Sequence, residues 1–305
     1  MKILVTGGAG FIGSNIADAL IEKSHDVVVM DNLSTGNKSN VNPRAKFYET
    51  DIRDKNSLDK IFDDEKPEAV FHLAAQASVN VSIKKPAFDV ENNIIGTINL
   101  LEAARDHGSK KFVFSSTGGA IYGDSAKRPT PETAEGRPAS PYGIDKLANE
   151  HFISFFCKNS DLKATVLRYA NVYGPRQNPH GEAGVIAIFT SQMLQNKPLT
   201  LCGNGEHTRD YVYVSDVVDA NLIALENDSS GPFNIGTGIE TSVSSLIKLL
   251  FKAAGKHGQI DRLPERIEQR NSSLDSSLAQ KILGWKSVVK IEDGIKKTVE
   301  FYSHD

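Results

Sequence analysis

A cluster of glycines near the start of the chain constrains the fold more than any other feature of the sequence. Four of the eight residues in Thr6–Gly13 are glycine. The apolar run Ile3–Val5 precedes this cluster and predicts a buried strand, and from Phe11 onwards apolar residues recur at helical spacing. A second apolar run, Val27–Met30, ends at Asp31. The order strand, glycine turn, helix, strand and acid, within about thirty residues, is typical of a unit that binds a dinucleotide.

Each part of this unit has a physical role. Glycines let the backbone approach a pyrophosphate closely, and the free N–H groups at a helix N-terminus favour the anion. A G-x-G-x-x-G pattern starts at Gly8 and a G-x-x-G-x-x-G pattern starts at Gly7. Both patterns pass through Gly10 and end at Gly13. Asp31 can accept hydrogen bonds from both ribose hydroxyls and would repel a 2′-phosphate, so the sequence predicts NAD rather than NADP.

Composition excludes several classes of function. The chain has 305 residues, of which 39% are hydrophobic and 24% charged, which is typical of a globular protein. Its net charge of −3 gives no general attraction to nucleic acid or anionic membrane, and no apolar run approaches the ~20 residues of a membrane span. A core strand directly follows Met1, so we expect no signal peptide. Cys157 and Cys202 are the only cysteines, and we expect a cytoplasmic protein without disulfides.

Strands and helices alternate through the first half of the chain. Four further apolar runs predict strands at Lys46–Glu49, Ala69–Leu73, Lys111–Phe114 and Thr165–Arg168. Helical spacing of apolar residues predicts helices at Lys55–Phe62, Glu91–His107 and Tyr142–Lys158. This alternation predicts an α/β fold, a Rossmann-type doubly wound parallel sheet with helices on both faces.

Asp51, just after the third predicted strand, has two interpretations. In a doubly wound sheet this position lies near the adenine of the dinucleotide. The carboxylate could instead cap the helix predicted from Lys55.

The second half of the chain has a different pattern. Asn171–Gly184 is rich in Pro, Gly and Asn and predicts a domain boundary or a substrate loop. Short strands and helices follow it in a mixed order. We therefore predict an NAD-binding domain over residues 1–170, completed by parts of 210–230. A smaller mixed α/β C-terminal lobe over residues 171–305 would bind the substrate.

Tyr142 and Lys146 are the candidate catalytic pair, in the segment SPYGIDK. At a spacing of four residues on a helix, their side chains share a face. A cation near a phenol favours the ionised form, so we expect a lowered tyrosine pKa and proton exchange with an alcohol near neutral pH. Thr117 or Ser116, at the end of the preceding strand, could hydrogen-bond the same alcohol.

Seven features of the chain resemble those of one family. The segments are TGGAGFIGS, HLAAQ, SSTGGAIYG, SPYGIDK, RYANVYGPRQ and GEHTRDYVYVSDV, together with Asp31. Their order and spacing resemble those of the extended short-chain dehydrogenases/reductases. Within that family the chain is most similar to the NAD-dependent nucleotide-sugar epimerases and dehydratases, in particular to the UDP-glucose 4-epimerases. The resemblance covers nearly the whole chain.

The resemblance implies roles for residues in both halves. Those implied in holding NAD are Gly7, Gly10, Phe11, Ile12, Gly13, Asp31, Asn32, Asp51, Ile52, Leu73, Ala74, Ala75, Asn93, Tyr142, Lys146 and Tyr169. Those implied in holding a UDP-sugar are Thr117, Tyr142, Asn171, Val185, Ile186 and Arg209, with a second arginine at Arg266 or Arg270. Tyr142 is implied as the acid–base, Lys146 as the group that tunes it, and Thr117 or Ser116 as their neighbour. Arg209 could instead form an ordinary salt bridge with Asp210 or Glu206. No metal is implied.

The implied reaction is a 4-epimerisation that oxidises C4 of the sugar transiently and returns the hydride to the opposite face. The substrates would be UDP-glucose and UDP-galactose, and the small Ser272 suggests room for the N-acetylhexosamine pair. Homodimers are usual for the family, and the helices at Glu91–His107 and Tyr142–Lys158 are candidates for the interface.

Three alternatives stay open at this point. A sugar 4,6-dehydratase would carry an Asp-Glu pair beside the hydroxyl residue, but the segment TGGAIYG has Gly and Ala there. A uronate epimerase or decarboxylase has less distinct sequence cues. A non-catalytic NAD-binding regulator would not need Tyr142 and Lys146 in productive spacing.

Overall fold

The computed structural model describes residues 1–124, 126–180, 184–264 and 269–304. Within these ranges the strands are β1 (Lys2–Thr6), β2 (Asp26–Asp31), β3 (Lys46–Glu49), β4 (Ala69–His72), β5 (Lys111–Thr117), β6 (Lys163–Tyr169), β7 (Asn171–Tyr173), β8 (Leu199–Cys202), β9 (Thr208–Tyr213), β10 (Gly231–Ile235), β11 (Glu240–Ser242) and β12 (Ile260–Leu263). The helices are α1 (Phe11–Glu22), α2 (Lys55–Glu65), α3 (Val79–Lys84), α4 (Pro86–Val90), α5 (Gly96–Asp106), α6 (Gly118–Ile121), α7 (Pro141–Lys158), α8 (Val185–Leu194), α9 (Val214–Glu226), α10 (Val243–Ala254), α11 (Ser277–Leu283) and α12 (Ile291–His304).

Seven of the described strands form one parallel sheet, in the order β10-β6-β5-β4-β1-β2-β3. The order reverses between β1 and β4, so a crevice opens beyond the carboxyl ends of these two strands. The prediction of a Rossmann-type doubly wound sheet is confirmed. Short strands of the second half form two smaller sheets, β11-β9-β7 and β12-β8.

The seventh strand of the large sheet comes from the second half of the sequence. β10 pairs in parallel with β6 at the edge of the sheet, although β7, β8 and β9 lie between them along the chain. The chain therefore leaves the large sheet after β6 and returns to it at β10. The division into two domains stays a prediction.

Local caps explain where two helices of the site begin. The Ser140 hydroxyl accepts the N–H of Gly143 at 3.2 Å, and Pro141 occupies the first turn of α7. The carboxylate of Asp54 accepts the N–H of Ser57 at 3.2 Å at the start of α2. The interpretation of Asp51 as the cap of this helix is therefore wrong, because Asp54 fills that position.

Two sequence predictions of secondary structure need correction. The predicted helix Glu91–His107 begins with a π-helical turn, Glu91–Ile95, and only then becomes α5. The predicted loop Asn171–Gly184 begins with β7, which pairs in parallel with β9. A three-residue strand carries too short a pattern to predict, because its pairing comes from a distant part of the chain.

The apolar core lies on both faces of the large sheet because side chains alternate along each strand. In β1, Ile3 and Val5 pack into one core cluster and Leu4 packs into the other, and all three are fully buried. α1 packs against α9, and α2 packs against α5. Nowhere in the described ranges does a helix combine the length and apolar character needed to cross a membrane.

Candidate active site

The glycine turn after β1 is closed by backbone contacts that leave no room for side chains. Gly7 has a φ of +69° and donates its N–H to the Met30 carbonyl at 2.8 Å. A Cβ atom at Gly7 would lie 2.7 Å from the Ala74 nitrogen, and one at Gly13 would lie 2.2 Å from the Gly7 carbonyl oxygen. Gly10, just before α1, has no side chain to cap the helix. The turn therefore has the form that a pyrophosphate needs for close approach to backbone N–H groups.

Asp31 lies at the end of β2 beside this turn. It is 8% exposed, and its carboxylate accepts the N–H groups of Ala9 at 3.0 Å and Leu33 at 2.8 Å. Burial raises the pKa of this carboxyl. Because a carboxylate has about four lone-pair sites, two remain for ribose hydroxyls. The residues of the turn and Asp31 together fit NAD.

Asn32 and Asp51 lie together just beyond the ends of β2 and β3. The Asn32 side-chain amide donates to Asp51 at 2.9 Å, and Arg53 binds the same carboxylate at two points, 2.9 and 2.8 Å. The hydrogen bonds from Arg53 hold the pKa of Asp51 well below its usual range. An open pocket of about 450 Å³ is lined by Asp51, Arg53, Asp54, Glu91 and Ile95. This is the end of the crevice at which a doubly wound fold places the adenine.

The loop after β4 forms the opposite wall of the turn. Asn93 is 2% exposed, and its amide group bonds both the N–H of Gln76 at 2.8 Å and the carbonyl of Gln76 at 3.0 Å. These two bonds fix the loop that carries the half-buried residues 73–75. Ile52 is 7% exposed and lies against Gly96, where a Cβ atom would be 2.5 Å from its side chain.

Two residues implied as ligand contacts have their side chains in the core. The Tyr169 hydroxyl is hydrogen-bonded to Asn221, and the residue is 5% exposed. Ile186 is 1% exposed and belongs to the core cluster, whereas Val185, at the start of α8, is half-buried. At α8 the backbone of the first turn and Val185 are therefore better placed for a ligand than the Ile186 side chain.

Tyr142 and Lys146 lie one turn apart on α7. Lys146 is 3% exposed, donates to the Ser115 carbonyl at 2.7 Å, and holds its ammonium nitrogen 5.9 Å from the centre of the Tyr142 ring. Burial lowers the pKa of Lys146 to about 8. Burial, with the charge of Asp89, raises the pKa of Tyr142. The expected lowering of the tyrosine pKa by Lys146 is therefore wrong for the protein's own groups, because burial of the phenol dominates.

Ser116 faces away from the crevice. It is 3% exposed, and its hydroxyl donates to Glu150 at 2.6 Å. The same carboxylate forms a buried two-point pair with Arg168, at 2.9 and 2.6 Å. Ser116 is thus part of a structural network, because its hydroxyl already serves a buried charge.

Thr117 follows Ser116 in β5, and its side chain leaves the opposite face of the strand. A Cβ atom added to Gly119 would lie 3.9 Å from the Thr117 hydroxyl and 3.7 Å from the side-chain oxygen of Asn171. The hydroxyl of Thr117 and the amide of Asn171 therefore border the same space beside Gly119. Between the two hydroxyl residues that the sequence left open, this geometry favours Thr117.

Arg209 is held against the segment that carries the second candidate arginine. Its guanidinium donates to the carbonyls of Gln269 at 2.7 Å and Arg270 at 3.0 Å. Arg266 lies outside the described residues. Asp210, one of the two acids of the alternative interpretation, accepts hydrogen bonds from Thr237, Gly238 and Leu274. The structure thus places the guanidinium of Arg209 against the backbone of Gln269 and Arg270.

Sequence reasoning missed two buried acids beside the Tyr142–Lys146 pair. Asp89, on α4, is fully buried, and Asp145, on α7, is 2% exposed. The sequence offered a signal for Asp145, which directly precedes the candidate catalytic residue Lys146. Asp89 gave none, because the five-residue α4 was not predicted.

Comparison with known proteins adds to this geometry. A family model described as the NAD dependent epimerase/dehydratase family matches residues 3–236. The chain belongs to that family. A UDP-glucose 4-epimerase of Mycolicibacterium smegmatis is 43% identical over 309 residues, with 99% of this chain and 98% of the relative covered.

Two solved structures of the same kind match nearly the whole chain. The UDP-glucose 4-epimerase of Thermotoga maritima, solved with UDP-glucose, is 53% identical with a TM-score of 0.97, and the match covers 99% of this chain and 98% of that one. The UDP-glucose 4-epimerase of Thermus thermophilus, solved with NAD, is 43% identical with a TM-score of 0.94 and 99% coverage of both chains. The NAD-dependent family assignment made from the sequence is confirmed.

The glycine turn predicts the effect of one methyl group on NAD binding. We expect Gly7→Ala to lose most of its bound NAD, because the new Cβ would meet the backbone nitrogen of Ala74 at 2.7 Å. Gly255→Ala is a matched control, since Gly255 has a φ of +62° but nothing lies within 4 Å of its Cβ position. Both variants carry the left-handed backbone cost of about 1 kcal/mol, but only the first disturbs the turn. The NAD content of each purified protein measures the difference, and full NAD in Gly7→Ala would contradict the prediction.

Proposed function

We propose that this protein is an NAD-dependent 4-epimerase of UDP-sugars that interconverts UDP-glucose and UDP-galactose. The observation that carries the proposal is the likeness over the full chain to UDP-glucose 4-epimerases, one of them solved with UDP-glucose. The site supports it, because Tyr142, Lys146 and Thr117 lie at the carboxyl edge of the sheet where NAD binds. The free and half-buried Cys157 and Cys202 suit a reducing compartment, and we place the enzyme in the cytoplasm.

Bound NAD supplies a hydride acceptor and donor, and the protein supplies proton transfer and orientation. Tyr142 takes the proton of the sugar C4 hydroxyl and later returns it, and the ammonium of Lys146 stabilises the phenolate. The Thr117 hydroxyl hydrogen-bonds the C4 oxygen. Arg209 and Arg270 hold the diphosphate of the nucleotide, with Asn171 beside it. Inversion at C4 requires the keto sugar to present its second face while the nucleotide stays held.

The range of sugars depends on the segment around Ser272. This residue is 7% exposed, and its N–H bonds the Thr208 carbonyl at 3.2 Å. A small side chain here is consistent with room for an N-acetyl group at C2. Acceptance of UDP-N-acetylglucosamine stays a prediction, and the assay below includes this sugar.

The proton transfer predicts the effect of removing one hydroxyl group. Tyr142→Phe should lower kcat for the epimerisation of UDP-galactose by about 10²–10⁴-fold, because it removes the general acid–base. Tyr48→Phe is the matched control, since Tyr48 on β3 bonds Glu65 away from the crevice. NMR of UDP-galactose and UDP-N-acetylglucosamine, incubated with each protein without added cofactor, measures the interconversion. Native turnover by Tyr142→Phe would refute the assignment of Tyr142 as the base.

The two hydroxyl residues of β5 predict opposite consequences when each is truncated. Thr117→Ala should lower kcat by about 10–100-fold at unchanged stability, because a hydrogen bond to a charged oxygen is lost. Ser116→Ala should lower the free energy of unfolding by about 1–3 kcal/mol with kcat retained, because Glu150 loses a buried donor. Denaturant unfolding and steady-state kinetics on both proteins separate the two effects. The reverse pattern would give the catalytic role to Ser116.

We also place a homodimer interface on α7 and the helical segments beside it. Large apolar side chains are exposed along one stripe of α7, with Ile144 at 52%, Phe152 at 37% and Phe155 at 58%. Phe88 at 41% and Ile95 at 46% add to the exposed apolar surface on segments that pack against α7. An apolar patch of this kind marks an interaction surface, and a second copy can cover it with the same residues.

This interface predicts a change of oligomeric state. Phe155→Glu should shift the protein from dimer to monomer, because it puts a charge at the most exposed apolar side chain of the stripe. Val288→Glu is the control, since Val288 is 65% exposed and lies before α12. Sedimentation equilibrium measures the masses, and a Phe155→Glu protein that remains dimeric would remove α7 from the interface.

A further inference from the structure

Two buried carboxyl groups face each other behind the candidate catalytic pair. Asp89, on α4, is fully buried, and Asp145, on α7 between Tyr142 and Lys146, is 2% exposed. The two carboxyl groups lie within hydrogen-bonding reach of each other. Ionising both of two neighbouring carboxyl groups that are shielded from solvent costs much free energy, because like charges repel strongly in a medium of low polarity.

The hydrogen bonds of the pair require one proton between the two acids. The first oxygen of Asp89 accepts the side-chain amide of Gln76. The second oxygen of Asp89 and one oxygen of Asp145 are both buried without a donor. Ionised carboxylates are acceptors only, so two ionised groups here would leave the lone pairs of these buried oxygens unsatisfied. A single shared proton makes one carboxyl the donor to the other and resolves this.

The pair is connected to both the cofactor loop and the catalytic residues. Gln76, which binds Asp89, belongs to the loop after β4 that Asn93 fixes. The negative charge of Asp89 acts on Tyr142, and the charges of both acids act on Lys146. The charge of the pair therefore bears directly on how readily Tyr142 ionises.

Few other charges face the pair. The ionisable groups on the elements packed around it include Tyr142, Lys146 and Glu150 of α7, Lys84 at the end of α3, Lys85 before α4, and Glu91 of the π-helical turn. His151 and Lys158, further along α7, are exposed. Lys84, Lys85 and Glu91 are exposed, and Glu150 is paired with Arg168. Solvent screens the exposed groups, so Lys146 is the main counter-charge of the pair.

We propose that Asp89 and Asp145 share one proton in the folded protein, and that loss of this proton restrains the ionisation of Tyr142 in alkaline solution. This inference rests on the proposed function for its kinetic part. Both acids are positioning residues, since they act through Tyr142 and Lys146. With the proton in place the pair carries one negative charge, and without it the pair carries two.

The expected pH range follows from the environment of the pair. Burial and the hydrogen bond with Asp89 raise the pKa of Asp145 to about 7. An acid whose pKa is higher in the folded than in the unfolded state adds to the free energy of unfolding. This contribution is complete below the pKa of the unfolded state, about 4. The folded state loses this contribution as pH rises towards 7. Above pH 7 the extra negative charge also opposes the phenolate of Tyr142, and the rise of kcat with pH becomes shallower.

Asp145→Asn and Asp89→Asn test both parts, because each amide donates permanently where the proton was shared. The difference in melting temperature, variant minus parent, should increase between pH 5 and 7.5 and then stay constant, because only the parent loses the stabilising proton. The alkaline limb of each kcat–pH profile should shift to lower pH by about one unit, because a negative charge near Tyr142 is gone. At a fixed alkaline pH, kcat of each variant should therefore be about tenfold higher than that of the parent. Asp219→Asn is the control, since partial burial and Asp216 raise the pKa of Asp219 on α9, away from the pair.

The outcomes separate the possibilities. Parallel curves of melting temperature against pH for the parent and both amide variants would refute the shared proton. A changed melting curve with an unchanged kcat–pH profile would refute control of Tyr142 and leave a purely structural pair. If only one variant folds, it alone decides both measurements. A protein without epimerase activity on any UDP-sugar would refute the proposed function, and the melting curves would still decide the shared proton.

Discussion

The close approach of backbone to backbone around Gly7 is the constraint on which the rest of the site depends. At this point β1 ends, α1 begins and the loop after β4 passes within the space that a single methyl group would need. That contact brings the N-terminus of α1 to the crevice at the reversal of strand order. The same contact fixes the distance between the β1 turn and the β4 loop. Asn93 holds Gln76 of this loop, and Gln76 binds Asp89, so the loop also connects the turn with the buried acids on α4 and α7.

Exclusion of water has opposite effects on the two members of the catalytic pair. Burial raises the pKa of Tyr142 and lowers that of Lys146, so each group is biased towards its neutral form. A phenol and an ammonium group have nearly equal pKa values in water, so burial moves the two pKa values apart and makes the phenol the weaker acid of the pair. Ionisation of Tyr142 therefore depends on positive charge close to its ring, and the nitrogen of Lys146 lies 5.9 Å from the ring centre.

Much of the fold was predictable because its signals are local. The glycine turn, Asp31 and the strands of the large sheet follow from apolar runs and turn residues, and the structure places them where the sequence predicted. β7 and the π-helical turn before α5 were missed because both depend on tertiary contacts rather than on a repeating pattern. Within the site, the sequence brought Tyr142 and Lys146 together through helical spacing. It could not tell that burial dominates the acidity of Tyr142, that Ser116 faces Glu150, or that Asp89 meets Asp145, because these depend on which side chains exclude water together.

The late return of the chain to the large sheet has a consequence for biosynthesis. β6 stays an unpaired edge until β10 has been made, and the whole of β7, α8, β8, β9 and α9 is translated in between. An open parallel edge is a template for pairing with other chains. A nascent chain that stalls in this interval would expose that edge on the ribosome, where chaperone capture and aggregation compete. The risk of misassembly ends only when β10 pairs with β6, so the length of the intervening segment sets how long the edge stays open.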